Sequence, residues 1–296
     1  MVSEALEELG LKKSHEVTNF SEDTPYYRVK MKNNYGYEVK IFLQGSYANN
    51  TNVRKSSDID IAIVQEDTFR TLYREGLSRI DYGFVAAPKK EFSFKDEVEI
   101  ALRRKFEKDV IRKNKAIQIN GNFYRKDADV VPSLRYRDYS NDYLLDKDNY
   151  TGGILIYADD GSEIINYPEQ HIRNGIEKNK MTNYFFKKMV RIAKEIRYQM
   201  VENKFEFASK ASSFGVECLL YNVPDELFTR YSEFYIFTFE GIVKYLYSNR
   251  FNINQFKEVN GIKNLVDDDP GRSNVYIKFI EELSDFYQYD IKQWKT

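Results

Sequence analysis

Asp58 and Asp60, two aspartates with one residue between them, are the residues of this sequence whose spacing most directly indicates chemistry. They open the run Asp58–Val64, whose alternation predicts a β-strand with both carboxylates on one face. Paired carboxylates repel, so they either raise one pKa or hold a divalent cation, and oxygen-only ligands suit Mg²⁺ or Mn²⁺. A strand whose exposed face merely carries two aspartates is the alternative at this point.

A third carboxylate on a neighbouring strand would turn this pair into a metal site. Asp127 and Asp129 are the candidates, in a predicted strand that ends at Pro132 because proline cannot donate to a ladder. Asp129 is the better one, since the apolar residues that follow it hold it on the sheet. Three carboxylates can bind two divalent ions about 3.5–4 Å apart, which activate an attacking hydroxyl and neutralise charge on a phosphoryl group. Asp129 would then accept the proton of that hydroxyl.

A glycine-serine turn, Gly45-Ser46, lies between two of the predicted strands. Glycine allows the backbone to approach a ligand closely, so the N–H groups around Gly45 and the Ser46 hydroxyl suit the β- and γ-phosphates of a nucleotide. Together with the carboxylates, this turn predicts nucleotidyl transfer with pyrophosphate as the leaving group.

The elements that would position these residues lie in the first half of the chain. Alternation and turn signals predict strands over Val39–Gln44, Asp58–Gln65, Ile117–Ile119, Phe123–Val131, Ile154–Tyr157 and Ile164–Ile165. Helices are predicted over Ser3–Leu11, Tyr26–Lys32, the first half of residues 67–92, and Ser93–Lys113. Later helices are predicted over Pro168–Asn174, Asn183–Glu202, Phe214–Tyr221, Glu226–Ser248 and Val275–Trp294.

This distribution predicts an α+β fold with two domains. The first would span residues 1–167 and hold the catalytic groups, and the second, helical, would span residues 168–296 and close the active-site cleft. The N-terminal helix is expected to pack across both domains.

Charge and composition narrow the class of partner and the compartment. The 296 residues carry 45 Lys and Arg against 46 Asp and Glu, so no global field draws the chain onto a polynucleotide or a membrane. A single cysteine, Cys218, excludes an internal disulfide and any multi-cysteine metal site, which fits the cytoplasm. No apolar run approaches the roughly 18 residues of a membrane-spanning helix, and the N-terminus lacks an export pattern.

The pattern of Gly45-Ser46, Asp58-x-Asp60 and Asp129 resembles the active site of polymerase-β-like nucleotidyltransferases. The wider sequence resembles the bacterial CD-NTases, relatives of cyclic GMP-AMP synthase and oligoadenylate synthase. The stretches that carry this resemblance are Gln44–Arg54, Ala128–Pro132, Arg135–Arg137, Asn166–His171, Val190–Lys194 and Ser213–Glu217. The resemblance implies a nucleotidyltransferase lobe of mixed sheet and helices, packed against a C-terminal helical lobe like that of oligoadenylate synthase.

The resemblance also implies roles for particular residues. Asp58, Asp60 and Asp129 would bind two Mg²⁺ (or Mn²⁺) ions, while Gln44, Gly45 and Ser46 would belong to the nucleotide-binding turn. Lys194 corresponds to a helix lysine that reaches the phosphates and Ser213 to a hydroxyl that contacts them. Phe214 corresponds to an aromatic, usually Tyr, that stacks on a base, and Phe keeps the stacking face. Taken alone, Lys194 is equally a solvated helix residue, and Phe214 a core aromatic.

Four further residues carry weaker predictions. Asn50 stands where many relatives have glycine, and asparagine tolerates the left-handed backbone that such a loop requires. Asn166 corresponds to an asparagine that reads the edge of a uracil in some relatives, with a turn residue as the alternative. His171 is predicted on a helix surface, and Cys218 as a small buried group.

By resemblance, the chain joins nucleoside triphosphates without a nucleic-acid template and closes them into a cyclic oligonucleotide second messenger, with a cyclic dinucleotide favoured. The setting would be anti-phage signalling of the CBASS type, with a cytoplasmic, monomeric enzyme and a separate effector protein that binds the product. Two alternatives stay open. One is transfer to another acceptor, such as a tRNA end, a protein or a small molecule, and the other is a nucleotide sensor without turnover.

Overall fold

The computed structural model divides the chain into two units. One consists of Met1–Ala48 with Ser57–Pro168, and the other of Asn49–Ser56 with Glu169–Thr296. The structure describes residues 1–21, 24–53, 58–88, 91–231, 234–267 and 269–294, and only the backbone of 18–21, 24–26 and 288–294. The segment that follows the glycine-serine turn belongs to the helical unit, which no sequence pattern indicated.

A mixed β-sheet forms the frame of the first unit. The described strands are β1 Lys12–Ser21, β2 Thr24–Lys32, β3 Glu38–Gln44, β4 Ile59–Tyr73, β5 Val110–Arg112, β6 Ile117–Ile119, β7 Ala128–Tyr139, β8 Thr151–Tyr157 and β9 Glu163–Asn166. Their order is β1-β2-β3-β4-β7-β6-β5, and β8 pairs with β7 and β9. β4 and β7 run parallel, while the other described pairs are antiparallel. The two strands that carry the predicted metal ligands are therefore direct neighbours at the centre of the sheet.

Helices α1 Val2–Leu6 and α3 Phe94–Phe106 pack on one face of this sheet, and the short helix α2 Gly45–Ala48 follows β3. Ser93 caps α3 as its acidic first turn predicts, because its hydroxyl accepts the backbone N–H of Asp96. Val98 and Leu102 of α3 are fully buried in one cluster with the sheet residues Ile41 and Ile63.

Several predictions for this unit are wrong, and two of them concern predicted helices that are strands. Tyr26–Lys32 is strand β2 and not a helix, since the buried residues Val29 and Met31 alternate along an extended chain between β1 and β3. The predicted helix after Asp67 is the second half of β4, which passes an irregularity between Gln65 and Phe69 and pairs again with β7.

The strand that contains Asp129 also continues past Pro132. β7 pairs with β6 over Ala128–Val130 and with β8 over Leu134–Asp138. Pro132 lies after the last residue of β7 that pairs with β6 and before the first that pairs with β8. Its missing N–H therefore removes no hydrogen bond on the side of β7 where β6 and β8 lie.

The second unit is helical over its described residues. Its helices are α4 Pro168–Met181, α5 Phe186–Glu202, α6 Glu206–Lys210, α7 Ser213–Tyr221, α8 Asp225–Thr229, α9 Tyr235–Asn249 and α10 Pro270–Trp294. The first residue of α4, Pro168, is the last residue of the first unit. The predicted helix Glu226–Ser248 is in fact split into α8 and α9. Met189, Val190 and Ala193 of α5 are buried in the core, as their helical spacing predicted. Within the described ranges, none of the helices combines the length and apolar character needed to cross a bilayer.

Candidate active site

Asp60 lies on the central strand β4, between two of the residues with which it was predicted to act. Gln44 of β3 is its cross-strand partner on one side, and Asp129 of β7 is its partner on the other. Side chains of directly opposed residues share a face of the sheet. Asp58 comes just before β4 and is exposed. The structure thus brings Gln44, Asp60 and Asp129 into one row across the sheet.

The pKa of the Asp60 carboxyl records this crowding. Burial, followed by the carboxylates of Asp129 and Asp58, raises it from 3.8 to about 6. A second or third negative charge is therefore unfavourable here without a compensating cation.

Lys113 supplies part of that compensation. Its ammonium lies 3.1 Å from Oδ1 and 3.5 Å from Oδ2 of Asp129. The lysine side chain is 42% exposed, so water reaches the ion pair and its attraction is weak. Sequence reasoning missed Lys113, because it lies in a run of basic and polar residues that has no distinguishing pattern.

Gly45 is required at its position for two reasons. Its φ of +66° is in the left-handed region, and a Cβ built on it would lie 2.2 Å from Oδ2 of Asp60. The turn and the carboxylate therefore approach so closely that no side chain fits between them. Ser46, the next residue of α2, is half-buried. Asn50 has φ +53°, which confirms the predicted left-handed backbone in the following segment, while Arg54 lies outside the described residues.

The donors of this row suit a hard divalent cation, since they are carboxylate oxygens whose mutual repulsion already raises a pKa. In the described part of the chain, no three His, Cys, Asp or Glu side chains converge as a ready-made metal site. Asp129 is directed to Lys113, and Asp58 directly follows residues 54–57, which lie outside the description. The two-ion site stays a prediction.

In the second unit, Lys194 is not a solvated helix residue. Its ammonium is 2.6 Å from Oε2 of Glu217 and also donates to the carbonyl and the hydroxyl of Thr51, at 3.2 and 3.1 Å. The lysine side chain is 2% exposed. An ammonium has three N–H donors, so in this arrangement none is left for a phosphate. Its predicted contact with the phosphates stays a prediction.

Ser213 and Phe214 begin helix α7, which Ser212 caps by accepting the N–H of Gly215 at 2.9 Å. Ser213 is half-buried. Phe214 is 37% exposed rather than a core aromatic, and its ring centroid lies 5.4 Å from that of His171. An accessible aromatic ring at this position is compatible with stacking on a base.

The prediction for His171 is wrong, since the residue is buried in α4 and its Nε2 lies 2.8 Å from Oε1 of Glu217. Helical spacing alone does not show which polar residue will find a buried partner, and Glu217 was missed for the same reason. Thr51 was missed because it lies in a polar segment outside any predicted helix or strand. Cys218 is fully buried as predicted, and burial raises the pKa of its thiol. Asn166 ends β9 opposite Ile154 and is half-exposed, and its reading of a base stays a prediction.

A nucleotidyltransferase is the class of protein that this fold and site define. The nucleotidyltransferase domain family matches residues 27–131, and the family described as the cGAS/DncV-like nucleotidyltransferase C-terminal helical domain matches residues 173–288. The first match contains the glycine-serine turn and all three aspartates.

Individual relatives cover between 77% and 98% of the chain. A cyclic GMP-AMP synthase, CdnE03, of Staphylococcus schleiferi is 49% identical over 98% of this chain and 89% of its own length. A cyclic dipyrimidine nucleotide synthase, CdnE, of Cecembia lonarensis is 38% identical over 77% of this chain and 76% of its own. The solved structure of an Elizabethkingia meningoseptica CdnE cyclic dinucleotide synthase with GTP and Apcpp has a TM-score of 0.67 and 35% identity, covering 84% of each chain. The chain belongs to the CD-NTases, the cGAS/DncV-like nucleotidyltransferases that synthesise cyclic nucleotides.

Proposed function

We propose that this chain joins two nucleoside triphosphates, releases two pyrophosphates and closes the product into a cyclic dinucleotide second messenger. The observation that carries the proposal is the position of Asp60, which has Asp129 beside it on a parallel strand and Gly45 against its carboxylate. This arrangement offers carboxylates to cations, and the left-handed glycine beside them lets a phosphate approach the backbone of the turn closely.

Asp58, Asp60 and Asp129 would hold divalent cations, and the resemblance implies two of them. These cations would neutralise negative charge on the phosphoryl group during its transfer. The attacking sugar hydroxyl forms a new bond to the α-phosphorus while the bond to pyrophosphate breaks. An Asp129 carboxylate oxygen accepts the hydroxyl proton. Gly45 lets the triphosphate lie close to the backbone, and the Ser46 hydroxyl and Gln44 would contact it.

ATP and GTP are the first candidates for substrates, because the relative that covers nearly the whole chain is named a cyclic GMP-AMP synthase. Another relative is named a dipyrimidine synthase, so base choice differs among similar chains. In the helical unit, Phe214 would stack on a base and Ser213 would contact phosphate. Asn166→Ser tests base reading, since an unchanged base preference would remove Asn166 from that role.

The proposed setting is a cytoplasmic monomer that needs no template and whose product is recognised by an effector protein in anti-phage defence. A near-zero net charge fits small nucleotides better than a polynucleotide, which usually binds to a basic face.

The direct test is to incubate the purified full chain with all four nucleoside triphosphates and Mg²⁺ or Mn²⁺, treat with phosphatase and analyse the products by mass spectrometry. A phosphatase-resistant product with the mass of a cyclic dinucleotide is expected, together with its loss in the double variant Asp58→Ala, Asp60→Ala. If triphosphates alone yield no cyclic product with either metal, the chain acts on another acceptor or only binds nucleotides, and the proposal fails.

A further inference from the structure

A buried polar network in the helical unit is centred on the carboxylate of Glu217. Oε1 lies 2.8 Å from Nε2 of His171, and Oε2 lies 2.6 Å from the ammonium of Lys194. The Thr51 hydroxyl donates to Oε2 at 2.8 Å. The four side chains come from α4, α5, α7 and the segment that follows the glycine-serine turn.

The charges in this network are satisfied internally. Burial alone would raise the pKa of Glu217, but Lys194 and His171 together hold it well below its usual range, so the carboxylate stays ionised. A buried charge with complete hydrogen bonding has one favourable geometry, because moving any member leaves a buried partner unpaired. The network therefore fixes the relative positions of the four segments.

One arm of the network holds the segment after the glycine-serine turn. Lys194 donates to the carbonyl and hydroxyl of Thr51, and Nη1 of Arg191 donates to the carbonyl of Asn50 at 2.5 Å. Asn50 is in the left-handed conformation, which such contacts can maintain.

The other arm reaches Phe214. This ring packs against the His171 ring in a tilted arrangement, with centroids 5.4 Å apart and planes inclined by 52°. Phe214 precedes Glu217 by three residues on α7, so the two side chains are neighbours on the helix surface. His171 therefore contacts both the carboxylate of Glu217 and the exposed ring of Phe214.

We propose that Glu217 is a positioning residue for nucleotide binding. Through His171 it sets the angle of Phe214, and through Lys194 and Thr51 it sets the segment that follows the phosphate-binding turn. The inference rests on the proposed function, in which Phe214 stacks on a base. It follows that His171, which contacts no nucleotide in this scheme, contributes to nucleotide affinity.

A double-mutant cycle between His171→Ala and Phe214→Ala tests this coupling. His171→Ala should raise the KM for triphosphate, and the Kd for a nonhydrolysable ATP analogue, roughly 5- to 20-fold, a fraction of the effect of removing a stacking ring. It should change kcat less than about 3-fold, because the interaction is made in ground state and transition state alike. In the Phe214→Ala background the same substitution should change Kd less than about 2-fold. His15→Ala, at the chain's other histidine, which is exposed on β1, is the control and should change neither constant.

Companion variants separate positioning from folding. Glu217→Gln leaves the ammonium of Lys194 without its counter-charge and is expected to destabilise the fold. Thr51→Val is therefore measured as well, because it removes only the two hydrogen bonds of the Thr51 hydroxyl and leaves every charge in place. Circular dichroism checks that each variant is folded. Thr51→Val should raise Kd about 2- to 5-fold. A folded His171→Ala protein with unchanged Kd, or an effect that simply adds to that of Phe214→Ala, would overturn the inference. If the wild type makes no product, the proposed function fails, while the Kd measurements still decide this inference.

Discussion

The acidic row of the sheet and the buried network of the helical unit use the same kind of residue in opposite ways. In the first, carboxylates face one another and the pKa of Asp60 is raised to about 6. In the second, Glu217 is more deeply buried, yet its pKa is lowered because Lys194 and His171 face it. Depth of burial does not decide the sign of the shift, and the neighbouring charge does. The sheet is arranged to receive cations from outside, whereas the helical unit supplies its own.

Asp60→Asn should separate activity from stability. We expect turnover to fall by about 10³-fold or more, because a ligand of the reaction's cations is lost. In metal-free buffer at pH 7.5 the variant should be more stable than wild type by about 1–2 kcal/mol. The sign follows from the raised pKa: the folded state holds the Asp60 proton up to about pH 6, so wild-type stability falls as pH rises from about 4 through 6.

Urea unfolding in EDTA measures this gain. The comparison is repeated near pH 4.5, where wild-type Asp60 is already protonated in the folded state and the advantage of the variant should shrink. Equal stability of the two proteins at pH 7.5 would contradict the repulsion inferred for the row.

Glu217→Gln should have the opposite effect on stability. Removing the carboxylate leaves the ammonium of Lys194 buried without a counter-charge, which costs about 3–5 kcal/mol. The matched control is Glu206→Gln, whose carboxylate is 64% exposed and pairs with Lys210 on the helix surface. The control should change stability by less than about 0.5 kcal/mol. Thermal unfolding of the three proteins gives the comparison. Similar losses of stability for both variants would show that the buried carboxylate of Glu217 contributes no more than a surface carboxylate, which would contradict its role in the helical unit.

Gly45→Ala should damage the acidic row from its side. The added methyl group would lie 2.2 Å from Oδ2 of Asp60, so the carboxylate must move, and we expect activity to fall about 10²-fold. Gly36→Ala is the control, since Gly36 also has positive φ, +83°, but its added methyl group would meet no atom within 4 Å. Both substitutions should cost about 1 kcal/mol of backbone strain, and only the first should affect turnover. Equal activities would show that the close approach is not needed.

Lys113→Gln should have the smallest effect. Removing the ammonium frees the Asp129 carboxylate that it now contacts, so the Mg²⁺ concentration for half-maximal activity should fall about 2- to 5-fold. Lys105→Gln, whose ammonium pairs with Glu4 near the N-terminus, is the control and should leave this concentration unchanged. A higher Mg²⁺ requirement in Lys113→Gln would show that the lysine assists cation binding.

The sequence predicted the acidic row better than its surroundings. Asp58, Asp60 and Gly45 lie close together along the chain, and the apolar residues after Asp129 correctly indicated a neighbouring strand. Predictions failed where pairing overrode local pattern, as in β2 and in the second half of β4, which exist as strands because β1, β3 and β7 lie beside them. The network around Glu217 was missed because its members are separated by up to 166 positions and each alone resembles an ordinary polar residue of a helix or loop.

The position of Cys218 directly after Glu217 has a practical consequence. The thiol is fully buried, and its raised pKa keeps it protonated, so a thiol reagent cannot label it while α7 is packed. Because the chain has a single cysteine, the rate of labelling measures how often the helix that carries Glu217 opens to solvent. Labelling of Cys218 therefore measures local unfolding of α7 in the unmodified protein. The measurement needs no nucleotide, no metal ion and no introduced cysteine.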